Sequence, residues 1–190
     1  QFGGDIAVAA NGILMSIMNM VFMTIVAVNM AIQPIIGFNY GARNFARVKD
    51  TLIKGIWIAT AISIGAEIAI HIFPGFLVML FNANDAELYH IGVRSLHLGM
   101  AATSIIGFQV IVGNYFQSTG KARMAMLLSL LRQVIFLIPL ILILPSFFDL
   151  DGVWLSLPVA GAISAFVVFY YFKKEIKKLN EYIASRELLQ

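Results

Sequence analysis

The sequence predicts an all-α protein, a polytopic bundle of helices that cross a membrane five times. Hydrophobic residues make up 60% of the 190 residues and charged residues 12%, whereas soluble proteins carry about 25% charged residues. The first 37-residue stretch, from Ile6 to Ala42, contains no charged side chain, and four more apolar stretches follow it. Each is long enough for a membrane helix of about 20 residues, whereas a membrane strand needs only about ten alternating residues. Helices are therefore favoured.

The five helices are expected at about residues 6–36, 50–81, 88–117, 121–147 and 152–172. Together they form one transmembrane domain, residues 1–172. The remaining residues, 173–190, are expected to form a basic amphipathic tail on the cytoplasmic surface. In this tail Ile176, Leu179 and Ile183 recur at helical spacing among lysines, so the tail is expected to continue the last helix.

Charges in the connections predict the orientation of the chain, because positive residues that flank membrane helices concentrate on the cytoplasmic side. Basic residues follow the first, third and fifth stretches: Arg43, Arg47, Lys49, Lys54, Lys121, Arg123, Lys173, Lys174, Lys177 and Lys178. Acidic residues occupy the opposite connections: Asp85, Glu87, Asp149 and Asp151. We therefore expect a multi-pass protein of the cell membrane whose N-terminus lies outside and whose C-terminus lies in the cytoplasm.

The start of the chain predicts that the sequence is a fragment. Gln1 is not an initiator methionine, and no signal-type segment is present to carry the first residues outside. Earlier membrane helices are therefore expected to precede it.

Prolines predict where the helices bend. Pro139 lies inside the fourth apolar stretch and Pro158 inside the fifth. Each removes a backbone donor and clashes with the preceding turn, so a kink is expected at both positions. Such bends help to form transport pathways, although proline is also commoner in membrane helices than in soluble ones.

One face of the first helix mixes amides with soft and aromatic side chains. Asn11 and Asn29 are eighteen positions apart and point the same way, and Met15, Phe22 and Gln33 lie within about 40° of that direction. Amides that face lipid are unfavourable, so this face is expected to meet other helices or a watery cavity. Thioethers and an aromatic ring suit a permissive binding surface. The alternative is ordinary packing between helices, with amide hydrogen bonds worth about 1 kcal/mol each.

A second stripe runs along the third helix. His97, Ser104, Phe108 and Tyr115 project from one side of it at helical spacing. Aromatic and hydroxyl groups in this arrangement can stack on flat organic cations and bond to their substituents. The alternative is that these aromatic residues pack in the core and that His97 lies near the outer interface.

Glu67 and Arg132 lie well inside apolar stretches, where an ionised side chain costs about 2.5–3.5 kcal/mol unless it is paired, neutralised or hydrated. Their depths allow a buried salt bridge that locks two helices together. Glu67 is also a candidate for coupling transport to protons or cations. His71 lies one turn further along, so a Glu–His relay is a second possibility.

Other chemistry finds no support in the sequence. There is no cysteine, and His71, His90 and His97 do not have metal-ligand spacing. No serine, histidine and aspartate are placed for acyl transfer, so neither an enzyme, a metal site nor a cofactor is expected. The basic residues fall between apolar runs rather than along one stripe, which disfavours nucleic acid as a partner.

Several short motifs occur in an order that resembles the C-terminal lobe of the multidrug and toxic compound extrusion (MATE) family. They are Gln33-Pro-Ile-Ile-Gly-Phe-Asn-Tyr-Gly-Ala, Tyr115-Phe-Gln-Ser-Thr-Gly-Lys, Leu131-Arg-Gln with Pro139, and Gly152-Val-Trp-Leu. The resemblance implies twelve helices in two six-helix lobes, of which these five match helices eight to twelve. It also implies export of organic cations and other amphipathic compounds in antiport with Na+ or H+. The partners implied are the missing N-terminal lobe, membrane lipid and small organic cations.

The resemblance has a gap at the coupling site. Family members often use carboxylates in the first helix, or in the seventh and tenth, but the stretch that matches the tenth, 95–117, has no Asp or Glu. Glu67 is therefore a candidate on physical grounds alone. Two other functions stay open: a flippase for lipid-linked precursors from the same superfamily, and a membrane assembly module that does not transport.

Overall fold

The computed structural model describes residues 4–81 and 85–187, and within these ranges it contains helices and turns but no β-strand. The helices are α1 (Gly4–Gly41), α2 (Phe45–Ile72), α3 (Pro74–Met79), α4 (Ala86–Gly99), α5 (Thr103–Ser118), α6 (Ala122–Leu130), a π-helical segment (Leu131–Leu137), α7 (Ile138–Ile143) and α8 (Pro145–Glu187). The last three residues of the expected tail, 188–190, and residues 1–3 and 82–84 of the expected transmembrane domain lie outside the described ranges.

The predicted membrane bundle is confirmed. Four helical stretches are long and apolar enough to cross a bilayer: α1, α2, the continuous stretch Ala122–Ile143, and α8. A fifth crossing is formed if α4 and α5 count as one span, since together they pass the same test with a bend of 49° between them. Large apolar side chains cover the outer surface, among them Trp57 (71% exposed) and Phe166 (76% exposed), as expected where lipid is the solvent.

Two of the predicted helices are interrupted. The expected helix 50–81 begins earlier, at Phe45, and breaks at Phe73. The cause is Pro74, which lacks a backbone N–H and disfavours helical geometry at the residue before it. The expected helix 88–117 breaks between Gly99 and Thr103, although no proline is present there. The side chain of Glu67 on α2 accepts a hydrogen bond from the start of α5 at this break.

The last two spans are distorted on either side of their connection. The π-helical segment ends just before Pro139, whose missing N–H leaves the carbonyl of Ile135 without its usual helical donor. The chain then turns sharply at Asp149, which has φ 49° and ψ −130°. Gly152 permits this turn because a Cβ there would lie 2.4 Å from the carbonyl oxygen of Leu144. By contrast, the helix continues without a break through Pro158 and on through the basic tail.

The interior consists of two apolar clusters, one towards each end of the bundle. The cluster nearer the tail is built on α1, α2, α5, α6 and α8 and includes Ile36, Leu52, Ile111, Leu128 and Leu179. The opposite cluster includes Leu14, Val78, Leu96, Met100 and Trp154. An ion pair from Arg94 to Asp151 (Nε to Oδ1, 2.8 Å) ties α4 to the start of α8 beside it. The two clusters hold α1, α2, α4, α5 and α8 together, whereas residues Leu131–Ile143 contribute no buried side chain.

The spans α5 and α2 approach each other closely at Gly107. A Cβ at this position would lie 2.4 Å from the carbonyl oxygen of Ala59 and 2.6 Å from Oγ of Ser63. The obstructing groups are backbone and a short hydroxyl side chain whose Oγ donates to Ala59 (2.8 Å), so neither can move aside easily. Small residues at helix crossings are the usual means by which membrane helices approach this closely.

We predict that Gly107→Ala destabilises the protein by about 1–3 kcal/mol, because the added methyl group forces α2 and α5 apart. Gly65→Ala is the matched control, since a Cβ at Gly65 meets nothing within 4 Å. The control is expected to be neutral or to stabilise the helix by up to about 1 kcal/mol. Thermal unfolding of both purified variants in detergent provides the measurement, and equal melting temperatures would contradict the close crossing.

Candidate functional site

A cavity of about 440 Å³ lies between α1, α5, α6, the π-helical segment and α8. Its polar lining residues are Gln109, Asn114, Gln117, Ser129, Arg132, Gln133 and Ser164. Its apolar lining includes Phe22, Val110, Ala125, Met126, Leu128 and Val168. A wall that combines amides, hydroxyls, one guanidinium and an aromatic ring can hold a molecule with both polar and apolar parts. We call this space the amide cavity.

Arg132 supplies the charge of the amide cavity. It lies in the π-helical segment beside Gln133, and both side chains line the cavity. Among the described residues no Asp or Glu lies within ion-pair distance of the Arg132 guanidinium. The salt bridge between Glu67 and Arg132 that the sequence suggested is therefore not formed, because the Glu67 carboxylate bonds elsewhere. A guanidinium offers five N–H donors, so this part of the wall favours an acceptor or an anionic group.

Gln109 leaves one hydrogen-bonding atom unused at the cavity wall. Its side chain is only 6% exposed, and its Nε2 donates to the carbonyl of Gly161 (2.9 Å) and to Oγ of Ser164 (2.7 Å). A carbonyl oxygen only accepts, so these contacts fix the orientation of the amide. The Oε1 atom is buried without a donor. Leaving such an acceptor unpaired costs about 1–3 kcal/mol, which a bound donor would recover.

The predicted stripe on the first helix reaches the amide cavity at one residue, Phe22, which is 38% exposed. Asn11, Met15 and Gln33 are half-buried on α1 and do not line this cavity. Asn29 is buried, at 7% exposure, in the middle of the same helix. Of this face only Asn29 lies in a packed region of the described bundle, and only Phe22 joins the residues of α5, α6 and α8 that line the cavity.

The predicted stripe on the third span also lies mostly in packed positions. Phe108 contacts the rings of Phe169 and Phe172, the latter edge-on at a centroid distance of 5.5 Å. Tyr115 is buried, and its hydroxyl donates to Oε1 of Glu175 (3.0 Å). Ser104 interacts through its backbone rather than its hydroxyl, as described below. These three residues connect α5 to neighbouring helices and do not line the amide cavity.

Most polar residues of the cavity were missed at the sequence level, although one signal was available. Gln109, Gly113 and Gln117 recur every four residues along α5 and face the same space, with Asn114 beside them. The helical spacing that places Asn11 and Asn29 on one face of the first helix likewise places these amides on one face of α5.

A second polar centre lies where α4 and α5 meet. The backbone N–H of Ser104, at the second position of α5, donates to Oε2 of Glu67 (2.7 Å). The neighbouring N–H groups of Thr103 and Ile105 bond to the carbonyls of Met100 and Ala102. The residue at the usual capping position, Ala102, has no side chain that can accept. A carboxylate from α2 therefore caps α5 at the break, where it meets the positive end of the helix dipole.

Two imidazoles complete this second centre. Nδ1 of His71 donates to the backbone carbonyl of Glu67 (2.9 Å), and the His71 and His97 rings are 5.3 Å apart. His71 thus contacts the main chain of Glu67 and not its carboxylate, so the suggested relay is not made by direct side-chain contact. Among the described residues no group of three His, Cys, Asp or Glu side chains is placed to hold a metal ion. We call Glu67, His71, His97 and the Ser104 amide the break centre.

Comparisons with known proteins agree with this architecture. The family model described as MatE matches residues 1–143. The probable multidrug resistance protein YoeA of Bacillus subtilis is 26% identical over 183 residues, which cover 93% of this chain and 39% of that protein. The multidrug export protein MepA of Staphylococcus haemolyticus is 24% identical over 167 residues, which cover 88% of this chain and 36% of that protein.

Solved structures show the same similarity. The MATE multidrug transporter DinF-BH is 39% identical and superposes with a TM-score of 0.81. The match covers 90% of this chain and 38% of the transporter. An outward-facing multidrug resistance MATE transporter of the MOP superfamily has a TM-score of 0.85 at 21% identity, which shows the shared fold.

The chain spans 36–39% of the length of these relatives. The family model nevertheless covers most of the chain, from residue 1 to 143, and the resemblance found in the sequence motifs is confirmed. The chain therefore belongs to the MatE family of multi-pass membrane transporters.

Proposed function

We propose that the protein containing this chain is a secondary transporter that exports organic cations and other amphipathic compounds in antiport with Na+ or H+. In this proposal the chain forms most of the C-terminal lobe, and an N-terminal lobe of the same protein completes the transport pathway. The amide cavity carries the proposal, because its amides, guanidinium and aromatic ring suit molecules that are partly polar and partly apolar. The relatives named as multidrug exporters support the same function.

The cavity wall supports a division of roles in substrate binding. The free Oε1 of Gln109 is an acceptor for a substrate ammonium or N–H group. Phe22 offers a flat surface for an aromatic body, and Met126 adapts to different shapes. Arg132 favours substrates that also carry a carboxylate or another acceptor. Such a wall is permissive because no single contact is indispensable.

The break centre is the proposed site of ion coupling. An ionised Glu67 caps α5 through the Ser104 amide. A proton on this carboxylate, or a Na+ ion that competes for it, weakens the bond to the helix end and changes the bend between α4 and α5. Because α5 also carries Gln109, Asn114 and Gln117, a change in the bend reaches the amide cavity. Inward ion flow and substrate release would be linked in this way.

The orientation belongs to the proposal as well. Basic residues after the first, third and fifth crossings support a cytoplasmic location for those ends and for the tail, with the first described residues outside, in the cell membrane. Cytoplasmic compounds would then enter the cavity from the side of the tail.

We predict that Glu67→Gln lowers ion-driven efflux of a cationic dye at least about tenfold while expression stays normal. The glutamine carbonyl can still accept from the Ser104 amide, but it can neither bind a proton nor attract Na+ strongly. Glu67→Ala removes the cap as well, so it is expected to lose a further 1–3 kcal/mol or so of stability. Dye efflux from cells or vesicles under imposed Na+ and H+ gradients, together with thermal unfolding, provides the measurement.

The control for charge removal is Glu181→Gln, which changes an exposed carboxylate in the tail helix. Its efflux is expected to match that of the wild type. Unchanged efflux in Glu67→Gln would exclude Glu67 from coupling, and equal stability of the Ala and Gln variants would show that capping by this residue is unimportant.

We predict that Phe22→Ala weakens dye binding about fivefold to tenfold, since contact between an aromatic ring and a cation contributes about 1 kcal/mol or somewhat more. The matched control is Phe166→Ala, which removes the same ring from α8 at a position that is 76% exposed and does not line the amide cavity. Fluorescence titration of the purified full-length protein measures both variants. Equal affinities would place the dye elsewhere.

Arg132 favours one second candidate, a flippase for lipid-linked precursors, because a guanidinium in the cavity wall suits a phosphate. Lipid translocation without dye efflux in reconstituted vesicles would support the flippase and overturn drug export. Absence of both activities in the intact protein would instead support a membrane assembly module.

A further inference from the structure

A groove of about 550 Å³ lies at the tail end of the bundle, where the turn between α5 and α6 meets α8. Four basic side chains line it: Lys121, Arg123, Lys174 and Lys178. Two aromatic rings, Phe116 and Tyr171, form part of its wall. It adjoins the amide cavity at Ala122, which lines both, but none of its charged side chains lines that cavity, and the proposed transport cycle does not use them. We call it the basic groove.

The basic groove has a strong excess of positive charge. Glu175 lies at its base, is only 6% exposed, and is held by the Tyr115 hydroxyl at 3.0 Å and by Nζ of Lys121. That carboxylate is therefore already neutralised by Lys121. Among the described side chains, the other three basic residues of the groove have no acidic partner within ion-pair distance. Mutual repulsion of three cations is unfavourable unless an anion joins them.

The position of the groove along the bundle indicates where that anion comes from. The groove lies where α5 ends at Ser118 and where the next span begins at Ala122. On α8, the exposed rings of Phe166 and Tyr170 lie a few residues before Lys174. Aromatic residues followed by lysines mark the boundary between hydrocarbon and headgroups. This order of rings and lysines is typical of the level of lipid phosphates.

We propose that the basic groove binds the phosphate headgroup of an anionic phospholipid. Arg123 can contact two phosphate oxygens through its planar fork, and the ammonium groups of Lys174 and Lys178 add charge-assisted hydrogen bonds. The half-buried ring of Tyr171 contacts the glycerol and the first methylene groups. Basic pockets between membrane helices are known sites of this kind. A lipid held here connects the α5–α6 turn to α8 in the same place as the Lys121–Glu175 pair.

The test uses the purified full-length protein in neutral detergent and compares Lys174→Gln/Lys178→Gln with Lys173→Gln/Lys177→Gln. Both double variants remove two charges at the same i, i+4 spacing on the same helix, but only the first pair lines the groove. The probe is dioleoylphosphatidylglycerol. Dioleoylphosphatidylcholine, which has no net charge, is the lipid control, and inorganic phosphate is the soluble anion control. Thermal unfolding and lipid retention in native mass spectrometry are measured for each.

We expect phosphatidylglycerol to raise the melting temperature of the wild type and of the Lys173/Lys177 variant, and phosphatidylcholine to do so much less. In the Lys174/Lys178 variant, the concentration of phosphatidylglycerol needed for the same shift should increase at least about fivefold, which corresponds to the loss of about 1 kcal/mol. Equal weakening of the two double variants would show general surface attraction and overturn the site. An equal rise in melting temperature with inorganic phosphate would show that the groove binds a soluble anion and would contradict the proposed lipid site.

Discussion

The structure depends on the requirement that every backbone polar group inside the bilayer has a partner. Continuous helices meet this requirement by themselves, but the third span is broken between Gly99 and Thr103. At that break the amide of Ser104 is satisfied by a carboxylate from another helix. Glu67 thus both stabilises the break and places an ionisable group at its centre, so its structural role and the coupling role proposed for it involve the same hydrogen bond.

The crossings were predictable because hydropathy reports the solvent of a segment directly. The interruptions were predictable only in part. Pro74 explains the break at Phe73, and the π-helical segment precedes Pro139. The turn at Asp149 falls in the expected connection between helices 121–147 and 152–172, whereas the helix runs on through Pro158. The break before Thr103 depends on a residue 37 positions away. The sequence pattern around Thr103 does not indicate a hydrogen bond to a residue this distant in the chain.

The residues of the amide cavity were also predictable only in part, because their contacts come from residues distant in the sequence. Helical spacing correctly groups residues on one face, but it does not say which neighbour covers that face. Tyr115 donates a hydrogen bond to Glu175, sixty positions later, and Gln109 donates one to Ser164, fifty-five positions later. The contact with Glu175 holds the Tyr115 hydroxyl away from the amide cavity, and the contact with Ser164 orients the Gln109 amide at the cavity wall. Arg132 and Phe22 were identified because a charge in lipid and a ring beside amides are unusual wherever their neighbours lie.

The unbroken course of α8 after Asp149 has a mechanical consequence. Gln109 donates a hydrogen bond to the carbonyl of Gly161 on this helix. About 20 residues further on, the Tyr182 ring contacts the Phe45 ring, with centroids 4.9 Å apart. That length of helix is about 30 Å, so a tilt of about 5° at Gly161 would displace Tyr182 by about 3 Å. A small tilt of α8 near Gly161 would therefore move the corner between α1 and α2 by a larger distance.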